Sequence, residues 1–185
     1  MYQKDGLEIE RRFLLFEAPN LEGITSEPST INQIYLLLPD AAALENHRLR
    51  KRVTGNEALY YYTSKIPLPD GARHEKEREI EETEYLALAK FADPARRVIR
   101  KTRHIIVQGE LTLELDLFAE ELAGLVILEA ELDSFEIDVP MPKWAGPFAE
   151  ITRDYRFTNY SLSAHSRDQI WTWISELQGQ RTTGE

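Results

Sequence analysis

The sequence contains no cysteine, which excludes a disulfide framework, a zinc–thiolate centre and a thiol nucleophile. It also lacks an apolar run long enough to predict a membrane-spanning helix, and its start, Met-Tyr-Gln-Lys-Asp, has no signal-peptide core. We therefore expect a cytoplasmic protein without a membrane partner. Positive charge is in the minority, since the net charge is −10, and this balance argues against broad nucleic-acid binding. A local basic pocket is compatible with that total.

The composition is typical of one globular domain. The chain has 185 residues, of which 42% are apolar and 29% are charged, so it is neither a disordered chain nor a membrane protein. We expect a single domain over 1–178 and a frayed polar tail over 179–185. The sequence does not distinguish a monomer from a homodimer.

Alternating side chains predict a mostly β architecture. The candidate strands are 6–15, 31–38, 47–53, 59–66, 75–82, 97–108, 110–118 and 125–137. Helical spacing of apolar residues predicts a helix over 83–93 and another from about residue 165 to 177. Short connections between the strands indicate an antiparallel α+β fold.

Every candidate strand except the second carries a charged face, and the charges are segregated by sign. Acidic rows lie on strands one, five, seven and eight, and basic rows lie on strands three, four and six. A sheet with one polar face in solvent is the simpler interpretation, but it does not explain this segregation. An eight-stranded antiparallel barrel would turn the rows inward and leave the leucine faces outside, to be covered by helices. Because dry burial of so many charges is prohibitive, we expect a wet tunnel that receives a multiply charged ligand with metal ions.

The types of charged residue indicate what that ligand is. Guanidinium groups match phosphate oxygens, and carboxylates are the hard oxygen donors that Mg²⁺ and Mn²⁺ prefer. The predicted phosphate-binding residues are Arg12, Arg48, Arg50, Lys65, Lys101 and Arg103. The predicted ligands of Mg²⁺ or Mn²⁺ are Glu8, Glu10, Glu129 and Glu131. Both signs in one cavity fit a metal-bound polyphosphate, whose phosphoryl group water can attack with little covalent help from the protein.

Further charged residues complete the predicted site. The candidate catalytic residues are Glu8, Glu10, Arg12 and Lys65, and the other predicted tunnel acids are Glu79, Glu81, Glu114 and Asp116. Glu77 and Arg52 fall on the same charged faces, but we place them at the rim of the tunnel rather than in the site.

The segment Glu8-x-Glu10-x-Arg12 resembles the ExExK signature of the CYTH superfamily, the triphosphate tunnel metalloenzymes. Further motifs follow in the family's order: Gln33-Ile-Tyr-Leu36, Arg48-Leu-Arg50, Thr63-Ser-Lys65, Glu79-Ile-Glu81, Lys101-Thr-Arg103, Glu114-Leu-Asp116, Glu129-Ala-Glu131, Trp144-Ala-Gly146, Glu150-Ile-Thr152 and Asn159. The resemblance implies an eight-stranded tunnel, dependence on a divalent metal and hydrolysis of triphosphates. Arg12 departs from the signature, which has lysine there.

The resemblance leaves three functions open. The first is a triphosphatase acting on tripolyphosphate or on an organic triphosphate such as ATP or thiamine triphosphate. The second is a class IV adenylate cyclase, in which the ribose hydroxyl of ATP attacks instead of water. The third is a polyphosphate- or nucleotide-binding module in which Arg12 marks lost catalysis.

Overall fold

The computed structural model describes residues 3–24, 26–38, 45–68 and 73–182. Within these ranges the side chain of Glu8 is among a few that are not described. The strands are β1 (Gln3–Leu15), β2 (Ser29–Leu36), β3 (Asn46–Thr54), β4 (Glu57–Pro67), β5 (Arg73–Ile80), β6 (Ile99–Gln108), β7 (Leu111–Phe118), β8 (Val126–Leu132) and β9 (Phe148–Glu150). The α-helices are α1 (Glu82–Leu88), α2 (Asn159–Leu162) and α3 (Arg167–Thr182).

The strands pair antiparallel in the order β5-β4-β3-β2-β6-β7-β8-β1-β9. In addition, β1 pairs with β5, so the pairing returns from the eighth strand of the ring to the first. The strand β1 is divided between its two partners: residues 3–8 pair with β5, and residues 9–15 pair with β8. The predicted eight-stranded antiparallel tunnel fold is confirmed. However, no residue of β1 pairs with both neighbours, because its first half pairs with β5 and its second half pairs with β8. Strand β9 pairs with residues 13–15 of β1.

Two strands end earlier than the alternation of their side chains predicts. Strand β8 stops at Leu132 because the next residues form a turn, in which the Ser134 hydroxyl accepts a hydrogen bond from the backbone N–H of Glu136. Strand β5 stops at Ile80 because Glu81 begins a helix, and its carbonyl accepts the first helical hydrogen bond, from the N–H of Tyr85.

The outer faces of the strands are covered by helix on one side and by loop on the other. Leu49 and Ile80 lie beneath α1, as expected. Leu113 and Leu128 instead pack against the segment that contains Val139 and β9. The expectation that helices cover all the leucine faces is therefore wrong for β7 and β8. The Pro-rich segment before β9 supplies the apolar side chains that cover β7 and β8. A search for helical spacing does not detect such a segment, because it is not a helix.

The C-terminal helix α3 closes one end of the tunnel. The inward-facing row of β1 changes from charged to apolar at Leu14, two residues after Arg12. Ile99 on β6 and Ile127 on β8 are apolar at the same end of the tunnel. These buried side chains pack with Ile170 of α3. The charged section of the tunnel therefore rests on an apolar floor.

Helix α3 also corrects the predicted tail. It continues to Thr182, so residues 179–182 are helical rather than frayed, and 183–185 lie outside the described residues. The polar composition of this tail predicted fraying, but a polar helix face is tolerated, and the glycine at its start costs only about 1 kcal/mol relative to alanine. In the described part of the chain, no helix has both the length and the apolar character needed to cross a membrane.

Candidate active site in a charged tunnel

The tunnel encloses a cavity of about 960 Å³. All eight strands of the ring contribute to its lining, together with the segment from Tyr155 to Trp173. The predicted site residues that line it are Glu10, Arg12, Arg48, Arg50, Lys65, Lys101, Arg103, Glu114, Glu129 and Glu131. The fold thus gathers into one space predicted site residues from six strands that are far apart in the sequence.

Three predicted residues are outside the lining of this cavity, and a fourth has no described side chain. Asp116 is fully buried behind the lining, where it contacts the basic residues of β6. Glu79 is half-buried outside the lining, and Glu81 is exposed where α1 begins. The side chain of Glu8 lies outside the described part of the structure.

On β5 the acids that line the cavity are Glu75 and Glu77, which correct the prediction of Glu79 and Glu81. All four share one face of the segment, so alternation alone cannot tell which pair faces the ligand. The side-chain contacts decide it, because Glu75 lies 2.5 Å from Lys65 and Glu77 accepts hydrogen bonds from Arg50 and Thr63. Arg52, which we had placed at the rim, also lines the cavity.

On one side of the tunnel, six side chains form what we call the Asp116 cluster: Arg12, Lys101, Arg103, Glu114, Asp116 and Glu129. Arg103 is at its centre. Its Nε and Nη2 donate to the two Asp116 oxygens at 2.6 and 2.5 Å, which is the parallel two-pronged geometry of a strong guanidinium–carboxylate pair. Nη1 donates to Glu114, and Nη2 also donates to Glu129 at 2.7 Å. Lys101 donates to Asp116 as well.

Arg12, in the position of the signature lysine, uses its fork to reach two different acceptors. Its Nε donates to Glu129 at 3.2 Å, and its Nη2 donates to the backbone carbonyl of Phe157. Glu10 lies 3.4 Å from the same Nε. Because the side chain is 3% exposed, these contacts are shielded from water, and they tie β1 to the segment that precedes α2.

Glu129 and Glu114 of this cluster have opposite pKa changes. Burial alone would raise the pKa of Glu129, but Arg103, Lys101 and Arg12 bring it well below the ordinary carboxyl value. Burial raises the pKa of Glu114, Arg103 opposes this, and the neighbouring charges of Glu129 and Asp116 add to it. The tunnel therefore favours a charged Glu129 and penalises a charged Glu114.

On the other side, strands β3, β4 and β5 form what we call the Glu77 cluster: Arg48, Arg50, Thr63, Lys65, Glu75 and Glu77. Arg50 Nη2 lies 2.6 Å from each oxygen of Glu77, and Thr63 Oγ1 donates to Glu77 Oε2 at 2.7 Å. Arg48 Nη2 is 3.5 Å from Glu77. Burial would raise the pKa of Glu77, but Arg50 and Arg48 hold it below the ordinary value.

A tyrosine orients two arginines of this side. The Tyr61 ring lies 5.1 Å from the guanidinium carbon of Arg50 and 5.7 Å from that of Arg52. Such cation–π contacts hold guanidinium groups without using their N–H donors. The Nε atoms of Arg50 and Arg52 are buried and have no hydrogen-bond acceptor among the described residues. This side of the cavity consequently keeps donor capacity that an anionic ligand can use.

Three of the predicted metal ligands, Glu10, Glu129 and Glu131, carry the carboxylate oxygens that a hard divalent cation prefers. Glu10 is paired directly with Glu131, and Glu129 lies two residues along the same face of β8. All three line the cavity. Among the described side chains, no three acids or histidines converge to form a metal site. One reason is that the Glu129 oxygens accept hydrogen bonds from Arg12 and Arg103.

Comparison with known proteins agrees with this geometry. Residues 6–183 match the CYTH domain family. An inorganic triphosphatase from Nitrosomonas europaea is 35% identical over 161 residues, covering 84% of this chain and 96% of that protein. A crystal structure of an inorganic triphosphatase superposes with a TM-score of 0.56 at 29% identity, covering 85% of this chain and 95% of that one. A putative adenylate cyclase from Bacillus halodurans shares the fold, with a TM-score of 0.50 at 19% identity over 72% of this chain and 83% of that one. The predicted family is confirmed, and the chain belongs to the CYTH domain family.

Proposed function

We propose that this chain hydrolyses triphosphates inside the tunnel, and that inorganic tripolyphosphate is a substrate. The observation that carries the proposal is the presence of basic and acidic rows in one cavity of about 960 Å³. Similarity to an inorganic triphosphatase at 35% identity supports the choice of substrate. The acidic row would repel a free phosphate chain, but the two rows together suit a phosphate chain that carries a cation.

The basic residues would hold the phosphate groups from both sides. Arg48, Arg50 and Lys65 line the cavity on the Glu77 side, and Lys101 and Arg103 line it opposite. Their charges offset the negative charge that spreads over the phosphoryl oxygens as the bond to the leaving phosphate breaks. The apolar floor beneath them limits how deeply water enters, which strengthens each of these contacts.

The metal role falls to Glu8, Glu10, Glu129 and Glu131, with Mg²⁺ or Mn²⁺ as the ion. A divalent ion bound there would supply Lewis-acid stabilisation of the phosphate oxygens. Glu10 and Glu131 are cross-strand partners, so their carboxylates lie on the same wall of the tunnel. Arg12, which bridges Glu129 and the carbonyl of Phe157, would keep Glu129 oriented, and Lys65 would face the phosphate chain from the opposite wall.

A substrate panel tests the proposal. Tripolyphosphate, ATP and thiamine triphosphate are incubated with the protein and with Mg²⁺, Mn²⁺ or a chelator, and every product is identified. We expect orthophosphate and pyrophosphate from tripolyphosphate, and no release when the chelator is present. Cyclic AMP with pyrophosphate from ATP would instead identify a cyclase. Tight tripolyphosphate binding without any product would identify a binding module.

A further inference from the structure

Two guanidinium–carboxylate pairs of the tunnel, Arg103 with Asp116 and Arg50 with Glu77, differ in geometry. Arg103 meets Asp116 with two parallel hydrogen bonds, and its remaining donors reach Glu114 and Glu129. Arg50 meets Glu77 through one nitrogen only, since Nη2 is shared between both carboxylate oxygens. Its Nε is buried without an acceptor in the described part of the chain. The pair of Arg50 and Glu77 therefore leaves unused a donor that a better-placed anion would engage.

The pairs also differ in what can reach them. Asp116 lies behind the lining of the cavity, so a ligand cannot displace it from Arg103 by occupying the tunnel. Arg50 and Glu77 both line the cavity. An anion in the tunnel meets the Nη2 atom that Glu77 already holds. A phosphate oxygen and the Glu77 carboxylate would therefore compete for the same N–H donor of Arg50. The two anions also repel one another because they carry like charge.

We propose that Glu77 competes with the phosphate ligand for Arg50, and so weakens the binding of every polyphosphate that uses this guanidinium. The inference rests on the proposed function, because it takes Arg50 as a phosphate ligand. Thr63 holds the competitor in place: its hydroxyl donates to Glu77 Oε2 at 2.7 Å, and it is fully buried outside the cavity lining. After hydrolysis, a shorter phosphate makes fewer contacts, so Glu77 recaptures Arg50 and promotes product release.

Calorimetric titration of Glu77→Gln tests the competition directly. Tripolyphosphate and pyrophosphate are titrated into the parent and the variant in the presence of a chelator, so that no hydrolysis occurs. We expect the variant to bind both anions about tenfold more tightly, a change of about 1.4 kcal/mol. Glu84→Gln is the matched control, since Glu84 pairs with Arg78 on the exposed surface, and its affinities should equal those of the parent. Equal or weaker binding by Glu77→Gln overturns the inference.

A second variant covers the case in which Glu77→Gln does not fold, since it leaves Arg50 without its counter-charge. Thr63→Val removes the hydroxyl that holds Glu77 and changes no charge. We expect it to tighten pyrophosphate binding by a smaller factor than Glu77→Gln does, because Glu77 is then held less firmly against Arg50. Weaker binding of pyrophosphate by Thr63→Val would contradict the competition.

Steady-state kinetics separate competition from a merely structural role. For Glu77→Gln we expect a lower KM for tripolyphosphate and stronger inhibition by pyrophosphate, with kcat reduced by slow product release. A structural defect would instead raise KM and leave pyrophosphate inhibition unchanged or weaker. The proposed function is judged separately by product formation in the parent. A parent that forms no product, beside a variant that binds more tightly, would refute hydrolysis and uphold the competition.

Discussion

The two walls of the tunnel, which carry the Asp116 cluster and the Glu77 cluster, contain the same types of charged residue but arrange them differently. In the Asp116 cluster every donor group of Arg103 has a carboxylate partner, and the central carboxylate cannot be reached from the cavity. In the Glu77 cluster the carboxylate lines the cavity, and Arg50 keeps a buried donor for which the described residues provide no acceptor. Strand β2, which contributes Ile31 and Gln33, lies between the two walls.

This comparison shows that the number of charges on a wall does not fix their role. A basic residue that is fully neutralised by buried acids mainly holds the strands together and contributes its field to the cavity at a distance. A basic residue with an incomplete, accessible partner is available to a ligand. We therefore expect substitutions in the Asp116 cluster to act first on stability and those in the Glu77 cluster to act first on binding.

The largest expected effect is on stability, in Asp116→Asn. This change removes the carboxylate that Lys101 contacts and one of the three that Arg103 contacts, and removal of one partner from a buried ion pair costs about 3–5 kcal/mol. The free energy of unfolding, measured by urea denaturation, should fall by that amount. The control is Asp138→Asn, whose side chain is 91% exposed and which should be nearly neutral. A loss below about 1 kcal/mol for Asp116→Asn would remove the distinction between the two walls.

The next effect is on catalysis, in Glu10→Gln. The variant keeps the size of the side chain but loses the negative charge that we propose for metal binding beside Glu131. Because a bound metal supplies several kcal/mol of charge stabilisation, hydrolysis should fall by about 100-fold or more. The fold should survive. Metal titrations and turnover are measured together with Glu57→Gln, an exposed control, and an unaltered metal requirement in Glu10→Gln would disprove its role.

Arg50→Ala is expected to weaken ligand binding by on the order of 1–3 kcal/mol, the value of a charge-assisted hydrogen bond. Its effect on tripolyphosphate affinity should exceed its effect on unfolding, in contrast to Asp116→Asn. Arg78→Ala, which removes an exposed guanidinium outside the cavity, serves as the control. If Arg50→Ala binds tripolyphosphate as tightly as the parent, Arg50 is not a phosphate ligand.

A smaller loss is expected for Arg12→Lys, although lysine is the residue of the family signature. Arg12 spans Glu129 and the Phe157 carbonyl with two different nitrogens, and a single ammonium group cannot reproduce that span. Loss of one such contact corresponds to about 1–1.5 kcal/mol, or roughly tenfold in tripolyphosphate hydrolysis. A clear gain of activity over a nearly inactive parent would mean that Arg12 marks lost catalysis and that the chain is a binding module.

The smallest effect concerns pH. The pKa of Glu77 is held below its ordinary value of 4.5, so its contribution to stability is present above pH 4.5 and is lost as the pH falls through the lowered pKa. The stability difference between the parent and Glu77→Gln should therefore shrink between neutral pH and pH 3. Urea unfolding at a series of pH values measures it. A difference that stays constant over this range would show that folding does not lower the pKa of Glu77.

The sequence predicted the walls of the tunnel better than the contacts inside it. Alternation identified the strands, and segregation by sign placed Arg50, Lys101 and Glu129 in one cavity, because those features follow from local spacing. It could not choose between Glu77 and Glu81, since both lie on one face and only the end of β5 separates them. Neither could spacing reveal which carboxylate neutralises which guanidinium, because that depends on the register between strands far apart in sequence.

Strand β9 was not predicted, because three residues are too few for a periodic signal, and its position depends on the free edge of β1. The early ends of β5 and β8 were missed for a related reason. Local hydrogen bonds at Glu81 and Ser134 form in place of strand pairing. The sequence does not reveal this, because its polar–apolar alternation continues beyond the end of each strand.

The divided pairing of β1 has a consequence for the order in which the protein folds. Arg12 and Glu129 are 117 residues apart in the sequence, so the first strand must wait for the eighth before its second half finds a partner. Contacts between residues so far apart in the sequence form slowly, because the chain loses the entropy of loop closure before the stabilising contacts are made. We expect pulsed hydrogen exchange during refolding to find the amides of residues 9–15 protected after those of the β3–β4 hairpin. The proposed metal ligand Glu10 would then reach its partner Glu131 only when this last seam closes, so that incomplete chains have no hydrolytic site.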